Sequence, residues 1–297
     1  MKKHVVIVGG GFAGVKLAQD LSDDPRFRIT LVTDRSDFRN YPTLYLTATG
    51  GKDMISSIPL AELFDGKHIE LVIDPMVSLD RQAKTITTKS KRRISYDGLV
   101  LSLGVVTNFF GIEGLSTYSH SIKSVEQAEA FKAHLHKQLI DAAKPDLNYI
   151  VVGGGPTGVE LAGALPAYLN RMIKNHGVPK RRIHVDLVEA APRLLPRSPR
   201  DVSRMVRRRL RRVGVRLYLD KTVQAQTADT LMLNGKPVRS HTVVWTAGVA
   251  NHPFFNEQGF QISPNRKVRV DQFLQAEPGI YVLGDNADTP YSGMAQT

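Results

Sequence analysis

Two glycine motifs of identical spacing lie about 144 residues apart, and each has the pattern of a dinucleotide site. The first, Gly9-x-Gly11-x-x-Gly14, follows an apolar run at residues 4–8 and opens an amphipathic stretch. A turn of this kind between a strand and a helix lets the backbone approach a pyrophosphate, and it offers the phosphates the amides of a helix N-terminus. Asp34, at the end of the next apolar run, can receive the hydroxyls of an adenosine ribose.

The second motif, Gly153-x-Gly155-x-x-Gly158, has an acid in the same relative place. Glu189 ends the apolar run that follows, so the chain is predicted to bind a second dinucleotide. Two alanines, not a basic residue, come after Glu189, and a 2′-phosphate there would be repelled. The pattern favours NADH over NADPH, with Arg193 as the residue that could weaken this preference.

Composition excludes several kinds of chemistry. The chain has no cysteine, so disulfides, thiolate metal sites, cysteine nucleophiles and thiol redox centres are ruled out. Its net charge of +12 suggests an anionic partner, namely nucleic acid, an acidic membrane surface or dinucleotide phosphates. No apolar run approaches the roughly 20 residues that span a bilayer, and the N-terminus lacks the pattern of a signal peptide, so a cytoplasmic location is expected.

The order of apolar runs predicts an α/β fold with two dinucleotide-binding domains. Each glycine motif is preceded by a strand and followed by a helix and a second strand, and each such unit continues into short strands. In the second half, residues 215–219 and 230–238 suggest a hairpin with Asn234-Gly235 as a turn. No linker rich in Gly or Ser separates the halves, so the domains are expected to interleave.

Further segments resemble the flavoprotein superfamily that binds two dinucleotides. Residues 279–285 form a strand that ends in Gly284-Asp285, and residues 96–104 and 243–248 are similar to the two strands that carry the chain between domains in that superfamily. The resemblance implies FAD at the first glycine motif and NADH at the second. It also implies that Asp285 accepts a hydrogen bond from the ribityl chain of the flavin.

Four other segments resemble type II NADH dehydrogenase, namely residues 106–112, 159–165, 192–196 and 294–297. The resemblance implies a respiratory-chain enzyme that passes a hydride from NADH to FAD and then two electrons to a quinone, without redox cysteines. Two alternatives stay open: a soluble NADH-dependent ferredoxin or rubredoxin reductase or diaphorase, and a non-catalytic redox-sensing flavoprotein. The protein supplies binding and orientation for such chemistry, which belongs to the cofactor.

The site residues expected from motif and resemblance form three groups. Those for FAD are Gly9, Gly11, Phe12, Ala13, Gly14, Asp34, Arg35, Gly104, Asp285, Ala295 and Gln296. Those for NADH are Gly153, Gly155, Pro156, Thr157, Gly158, Glu160, Glu189, Ala247 and Gly248. Those with a catalytic role are Glu160 and Gln296, and no metal site is expected.

The resemblance places Ala295 and Gln296 beside the isoalloxazine ring, at the start of a helix that lines the quinone site. Glu160 is expected where flavin and nicotinamide meet. It either tunes charge or proton movement or satisfies polar groups at a domain boundary. Residues 39–43 depart from the commoner family sequence His-Leu-Phe-Gln-Pro, so direct flavin contacts from Pro42 or Tyr45 are not expected.

The predicted FAD domain is discontinuous, with residues 1–112 and 268–297, and residues 113–267 form the NADH domain. Family members continue for about one further domain that lies on the membrane, whereas this sequence ends at Thr297, so a membrane-anchoring C-terminal domain is expected to be missing. The expected partners are a quinone and, through that downstream region, the anionic cytoplasmic face of a membrane, with a homodimer as an open alternative. No nucleic-acid partner is expected.

Residues 200–216 form a basic stretch around an apolar stripe at helical spacing. A solvated face is favoured over a surface for nucleic acid or lipid, because no aromatic residues interleave the charges. His134 and His136 stand two apart on a predicted helix and should face different ways, which argues against a metal site.

Overall fold

The computed structural model describes residues 1–51, 56–140, 147–179 and 182–290. Its contacts divide the chain into two compact units. The first unit comprises Met1–Arg39, Ser57–Val106 and Val249–Thr297, and the second comprises Asn40–Ser56 and Thr107–Gly248. Each unit contains a parallel sheet with its own glycine turn, so the predicted α/β class is confirmed.

The first unit is built on a six-stranded sheet. Its strands are β1 (Lys3–Val8), β2 (Phe27–Thr33), β5 (Ile69–Ile73), β9 (Gly98–Leu101), β19 (Gln275–Glu277) and β20 (Ile280–Val282). Their order is β19-β20-β9-β1-β2-β5, and all pairs are parallel except β19 with β20. The order reverses between β1 and β9, so the carboxyl ends of these strands form the crevice in which open α/β sheets bind ligands.

Apolar side chains cover both faces of this sheet. Ile7 packs on one face with Leu31 and Val100, whereas Val6 and Val8 pack on the other with Leu101. A strand buried on both faces reads as a continuous apolar run, which explains residues 5–8. The helices of this unit are α1 (Phe12–Ser22), α3 (Leu60–Leu63) and α8 (Phe254–Glu257).

Short strands complete the first unit. β3 (Asp37–Arg39) pairs with β4 (Ser57–Pro59), and a separate meander contains β6 (Met76–Asp80), β7 (Thr85–Thr88) and β8 (Arg93–Ser95). Two further strands, β10 (Val105–Thr107) and β18 (Val249–Asn251), lie at the points where the chain passes between the units.

The second unit has a four-stranded parallel sheet in the order β13-β12-β11-β17. These strands are β11 (Asn148–Val152), β12 (His184–Val188), β13 (Val215–Tyr218) and β17 (Thr242–Trp245). The described residues of this unit form the helices α2 (Leu44–Ala48), α4 (Leu115–Tyr118), α5 (Val125–Ile140), α6 (Pro156–Asn175) and α7 (Arg200–Arg212). Its core joins α2, α5 and α6 to the sheet through Leu44, Phe131, Leu165 and Val151.

An antiparallel meander packs against the same unit. It consists of β14 (Val223–Gln226), β15 (Thr230–Leu233) and β16 (Lys236–Arg239). The predicted turn at Asn234-Gly235 joins β15 to β16, with φ of 46° and 75°. Residues 215–218 were wrongly predicted to pair in that hairpin, since they lie beside β12 in the parallel sheet. Their alternating pattern is shared by both kinds of strand, so it could not decide the partner.

The units begin and end at different residues from the predicted domains. Phe254, Phe255 and Phe260, predicted in the second domain, pack in the first unit's core with Val6 and Val8. Residues 40–56, predicted in the first domain, belong to the second unit because α2 packs on α5 and α6. Which unit holds which dinucleotide stays a prediction at this point.

The two histidines of α5 face different neighbours, as the sequence predicts. His134 lies 4.3 Å from His120 between ring centroids, and its Nε2 is 2.9 Å from the hydroxyl of Thr242. Burial lowers the pKa of His134 to about 4. His136 lies against His176. In the described ranges, no group of three or more metal-binding side chains occurs.

The glycine turn of the second unit provides a stability test. A Cβ on Gly158 would lie 1.8 Å from the carbonyl oxygen of Gly153, whereas one on Gly155 would meet nothing within 4 Å. We expect Gly158→Ala to lower the free energy of unfolding by about 3 kcal/mol or more, because the backbone must shift. Gly155→Ala should cost only about 1 kcal/mol or less, through the weaker N-cap. Urea unfolding followed by circular dichroism measures both, and equal midpoints would contradict the close packing described for this turn.

Candidate dinucleotide sites

The first glycine turn presses a helix onto a strand. Gly9 has φ of +116°, and a Cβ there would lie 2.2 Å from the carbonyl oxygen of Ser102. A Cβ on Gly14 would lie 2.0 Å from the carbonyl oxygen of Gly9. The Ser102 hydroxyl donates to the carbonyls of Val8 and Gly9, at 3.1 and 3.3 Å. Larger residues would separate α1 from β1, so these glycines set the position of the helix N-terminus.

The start of α1 has the features of a phosphate site. Gly11 is the N-cap residue, and a Cβ on it would meet nothing within 4 Å. Phe12 and Ala13 begin the helix, whose first turn contains no acidic residue and receives no side-chain cap. The amides of this turn are therefore available to an anion, and the helix dipole favours one.

Asp285 lies at the same edge of the sheet, directly after β20. It is part of a 3-10 turn, Gly284–Asn286, and the Cβ of Ala13 is 3.3 Å from where a Cβ on Gly284 would lie. The Oδ1 atom of Asp285 is buried and has no hydrogen-bond partner among the described residues. A buried unpaired acceptor is costly unless a ligand donates to it, so the site fits a group that carries hydroxyls.

The neighbouring Asn286 fixes the turn at Gly104, which has φ of +71°. Its side chain accepts from the Gly104 amide at 2.8 Å and donates to the Gly104 carbonyl at 2.6 Å. It also donates to the side-chain oxygen of Asn251 at 2.7 Å. These bonds bring the ends of β9 and β20 together beside α1, where Gly104 and Asp285 were both predicted to bind.

Asp34 ends β2, as expected for a ribose ligand. Its carboxylate accepts two hydrogen bonds from Arg35, at 2.7 Å from Nη2 and 3.1 Å from Nε. The Arg35 hydrogen bond lowers the pKa of Asp34, so the carboxylate stays ionised and able to accept from hydroxyls. The predicted first-site residues within the described ranges thus lie at the carboxyl ends of β1, β2, β9 and β20.

The second unit repeats the first arrangement. Gly153 has φ of +117°, and the hydroxyl of Thr246 donates to the carbonyls of Val152 and Gly153, at 2.8 and 3.4 Å. Pro156 and Thr157 are exposed in the first turn of α6, which has neither an acidic residue nor a side-chain cap. This helix N-terminus is as open to a pyrophosphate as that of α1.

Glu189 is held at the end of β12 by backbone amides alone. Its Oε2 accepts from the amide of Gly154 at 2.5 Å, and its Oε1 accepts from that of Ala191 at 2.7 Å. Arg193 does not bond to this carboxylate in the structure. Its guanidinium donates to the carbonyls of Leu195, Pro196 and Ser198 and closes the loop before α7. The guanidinium of Arg193 therefore does not neutralise the carboxylate of Glu189.

The loop after β17 packs under an aromatic cluster. A Cβ on Gly248 would lie 2.6 Å from the carbonyl oxygen of Asn108 and 2.5 Å from the ring of Phe110. The same Asn108 carbonyl accepts from the indole of Trp245 at 2.8 Å. Ala247 and Gly248 are thus fixed beside Gly153, whose added Cβ would lie 2.9 Å from Ala247. Gly248 has no left-handed φ, so the close approach of Asn108 and Phe110 alone excludes a side chain there.

Sequence reasoning missed Ser102 and Thr246. Each hydroxyl binds the carbonyl of the first glycine in its turn, and each stands two residues before another glycine, in Ser102-x-Gly104 and Thr246-x-Gly248. Comparison of the two halves would have revealed this repeated pattern.

Glu160 lies on α6 beside a groove of about 980 Å³ between α6 and α7. Tyr45, Gly163 and Ala164 line the same groove. The side chain is exposed, yet the protein around it raises the pKa of Glu160 by desolvation. It makes no hydrogen bond or ion pair with a described residue, which gives no support to a role in satisfying neighbouring polar groups.

Two predicted site residues, Ala295 and Gln296, lie outside the described residues.

Gly50 has φ of +86° and packs on Tyr168 in the second unit. In the described parts of the chain, no helix combines the length and the apolar character needed to cross a membrane.

Comparison with known proteins agrees with this geometry. Residues 3–297 match the pyridine nucleotide-disulphide oxidoreductase family model. The chain is 26% identical to type II NADH:quinone oxidoreductase of Staphylococcus epidermidis over 96% of its own length and 74% of the relative. It is also 26% identical to type II NADH:quinone oxidoreductase NdhA of Mycobacterium tuberculosis, over 99% and 68% of the two chains. The predicted resemblance to type II NADH dehydrogenase is confirmed.

Solved structures share the fold. NDH2 from Plasmodium falciparum in complex with NADH superposes with a TM-score of 0.86 at 20% identity, covering 97% of this chain and 65% of that one. Sulfide:quinone oxidoreductase of Aquifex aeolicus gives a TM-score of 0.81 at 24% identity, covering 97% and 69%. The present chain thus spans just under two thirds of the Plasmodium structure. With two glycine turns of one design and a family match over nearly its whole length, the chain belongs to the pyridine nucleotide-disulphide oxidoreductase family, as a member without cysteine.

Proposed function

We propose that this chain is an FAD-dependent NADH:quinone oxidoreductase. The observation that carries the proposal is the presence of two separate glycine turns of one design, the first of which lies at the same sheet edge as the buried, unpaired Oδ1 of Asp285. When bound, FAD supplies the two-electron chemistry, accepting a hydride from NADH and passing its electrons to the quinone. The names of the staphylococcal and mycobacterial relatives support NADH and a quinone as the two substrates.

In this proposal the first unit holds FAD. The amides that follow Gly11 bind the pyrophosphate, and Asp34, ionised beside Arg35, accepts from the adenosine ribose. Asp285 accepts a hydrogen bond from the ribityl chain and so satisfies its buried oxygen. The turn at Gly104 keeps the end of β9 clear of side chains at this edge.

The second unit holds NADH. The open start of α6 binds the pyrophosphate, and Glu189 accepts from the ribose diol. Ala247 and Gly248, fixed by Asn108 and Trp245, are proposed to pass beside the nicotinamide half of the dinucleotide.

Electron transfer to the acceptor cannot use a thiol, because the chain has none. The names of the relatives favour a quinone, and a ferredoxin reductase of Rhodopseudomonas palustris, at 24% identity and a TM-score of 0.79, shares only the fold. Ala295 and Gln296 are proposed to lie at the acceptor side. Since quinones dissolve in bilayers, we propose that the protein associates peripherally with the membrane. A homodimer is a separate proposal.

Proton balance gives Glu160 a proposed role. Reduction of a quinone to a quinol takes two electrons and two protons, whereas a hydride carries two electrons and one proton. One further proton must come from solvent or from an acid on the protein. Desolvation raises the pKa of the Glu160 carboxyl and therefore favours its protonated form. We propose that this carboxyl gives up the second proton and is refilled from water.

Flavin retention tests the assignment of the first site. We expect Asp285→Ala to weaken FAD binding at least about tenfold, because a hydrogen bond to a charged acceptor contributes about 1.5 to 3 kcal/mol. Glu189→Ala, which removes the acid at the end of β12 in the second unit, should retain its FAD. Absorbance of released flavin per chain measures both variants. Equal retention in the two would overturn the assignment of FAD to the first unit.

Coenzyme preference tests the second site. Stopped-flow mixing with NADH should bleach the bound flavin much faster than mixing with NADPH. Glu189→Gln keeps an oxygen acceptor but removes the charge that opposes a 2′-phosphate, so the ratio of the two rates should fall about tenfold. Asp201→Asn, which removes an exposed acid of the second unit outside the predicted sites, serves as the control and should leave this ratio unchanged. A wild-type preference for NADPH would contradict the proposed role of Glu189.

Steady-state NADH oxidation tests the reaction as a whole. We expect turnover with a soluble short-chain quinone and slow turnover with ferredoxin. Glu160→Gln should lower kcat for the quinone about tenfold or more, as for the loss of a general acid, while the flavin is still bleached by NADH. In the wild type, kcat should fall as pH rises through the raised pKa of Glu160, because the donor is then ionised, and the variant should lack this step. Faster reduction of ferredoxin than of quinone would refute the proposed acceptor.

A further inference from the structure

The helix α7 presents a row of arginines to solvent. Ser203 and Leu210 are buried and mark its inner face. Arg204, Arg208 and Arg212 repeat every four residues on the opposite side, and all three are exposed. Arg207, Arg209 and Arg211 flank this row and are exposed as well.

These charges are not balanced by the described part of the protein. None of the six arginines forms an ion pair or a hydrogen bond with a described residue, and the only acid within α7 is Asp201. The arginines of the last turn interact favourably with the helix C-terminus, but like charges four residues apart destabilise a helix. An anionic ligand along the Arg204, Arg208 and Arg212 row would remove that repulsion.

An apolar groove lies directly beside the row. This is the groove of about 980 Å³ between α6 and α7, and its apolar lining includes Val159, Ala164, Met205 and Val206. Met205 is 63% exposed, so an apolar side chain of this lining is accessible to a ligand. Four arginines, Arg204, Arg208, Arg209 and Arg212, line the same groove and outnumber its two acids, Glu160 and Asp201. A ligand that matches it carries negative charge at one end and apolar groups at the other.

We propose that α7 and this groove form a docking surface for anionic phospholipids at a bilayer surface. The arginines contact the headgroup phosphates, with their alkyl stems against apolar atoms, and Met205 enters the boundary between headgroups and acyl chains. Nucleic acid fits less well, because α7 carries no aromatic residue on which bases could stack. A second copy of the chain would bring like charges together. The surface combines side chains of α7 with the α6 residues that line the groove, and it gives a location on the described part of the chain to the membrane association proposed above. Vesicle binding tests it separately from the redox reaction.

The test compares two sets of charge removals in the full chain with its bound cofactor. The first variant is Arg204→Gln, Arg208→Gln and Arg212→Gln, and the control is Lys89→Gln, Lys91→Gln and Arg93→Gln, which removes three exposed charges from the first unit. Glutamine is a good helix former and removes repulsion, so the urea midpoint of the α7 variant should stay equal or rise. Binding is measured by flotation with phosphatidylcholine vesicles, with or without about one third phosphatidylglycerol.

The wild type should float with the anionic vesicles at about 50 mM salt and not with pure phosphatidylcholine, and salt near 500 mM should release it. The affinity of the α7 variant for the anionic vesicles should fall about a hundredfold, because each of its three lost basic residues contributes about fivefold. The affinity of the control should fall about fivefold or less. Met205→Ser should weaken binding several-fold by removing the apolar contact. Equal binding by the α7 variant and the control, tighter binding of the wild type to duplex DNA than to these vesicles, or an unchanged Met205→Ser would each overturn the proposal.

Discussion

The contact on which both units depend is the one between the first helix and the central strand, and only glycine permits it. An added Cβ on Gly14 or Gly158 would lie 2.0 or 1.8 Å from the carbonyl oxygen of the preceding glycine turn. Because no side chain separates them, the helix packs closely against the strand, and its first amides lie at the carboxyl edge of the sheet. Only there can the acid at the end of the next strand act on the same ligand. The close contact therefore fixes where the proposed pyrophosphate would bind and which acid could accept from its ribose.

The two units solve the same problem with different partners for the strand-end acid. Asp34 is paired with the neighbouring guanidinium of Arg35, which offsets much of its charge. Glu189 is held by two backbone amides, which orient the carboxylate without cancelling its full charge. A site of the second kind repels an added phosphate more strongly than one of the first kind. One turn design thus permits different selectivity, because the difference lies in what stands beside the acid.

Local pattern was enough to predict the parts of the site that local chemistry determines. The glycine turns and the strand-end acids Asp34 and Glu189 follow from residue type and spacing within about 35 positions, whereas the segment that ends in Asp285 was identified by resemblance to a flavoprotein superfamily. The structure has the glycine turns and these strands where expected. Long-range packing was not accessible in this way. Phe254 and Phe255 join a core with Val6 that is about 250 residues away in sequence, which no periodicity reports. Likewise, residues 215–218 alternate like a hairpin strand but find their partner in a parallel sheet.

Arg193 lies close to Glu189 in the sequence, but its guanidinium does not pair with the Glu189 carboxylate in the structure. Read along the chain, it stands four residues from Glu189 and ought to weaken the discrimination against a 2′-phosphate. In the fold its guanidinium donates hydrogen bonds to three carbonyls of the loop that leads into α7. These bonds use three of its five N–H donors, and none of them reaches Glu189. The loop it closes also lies between Glu189 and the arginines of α7, and no described arginine pairs with that carboxylate. The second unit therefore keeps one acid uncompensated for a ligand on its sheet edge while it presents a strongly basic helix to solvent.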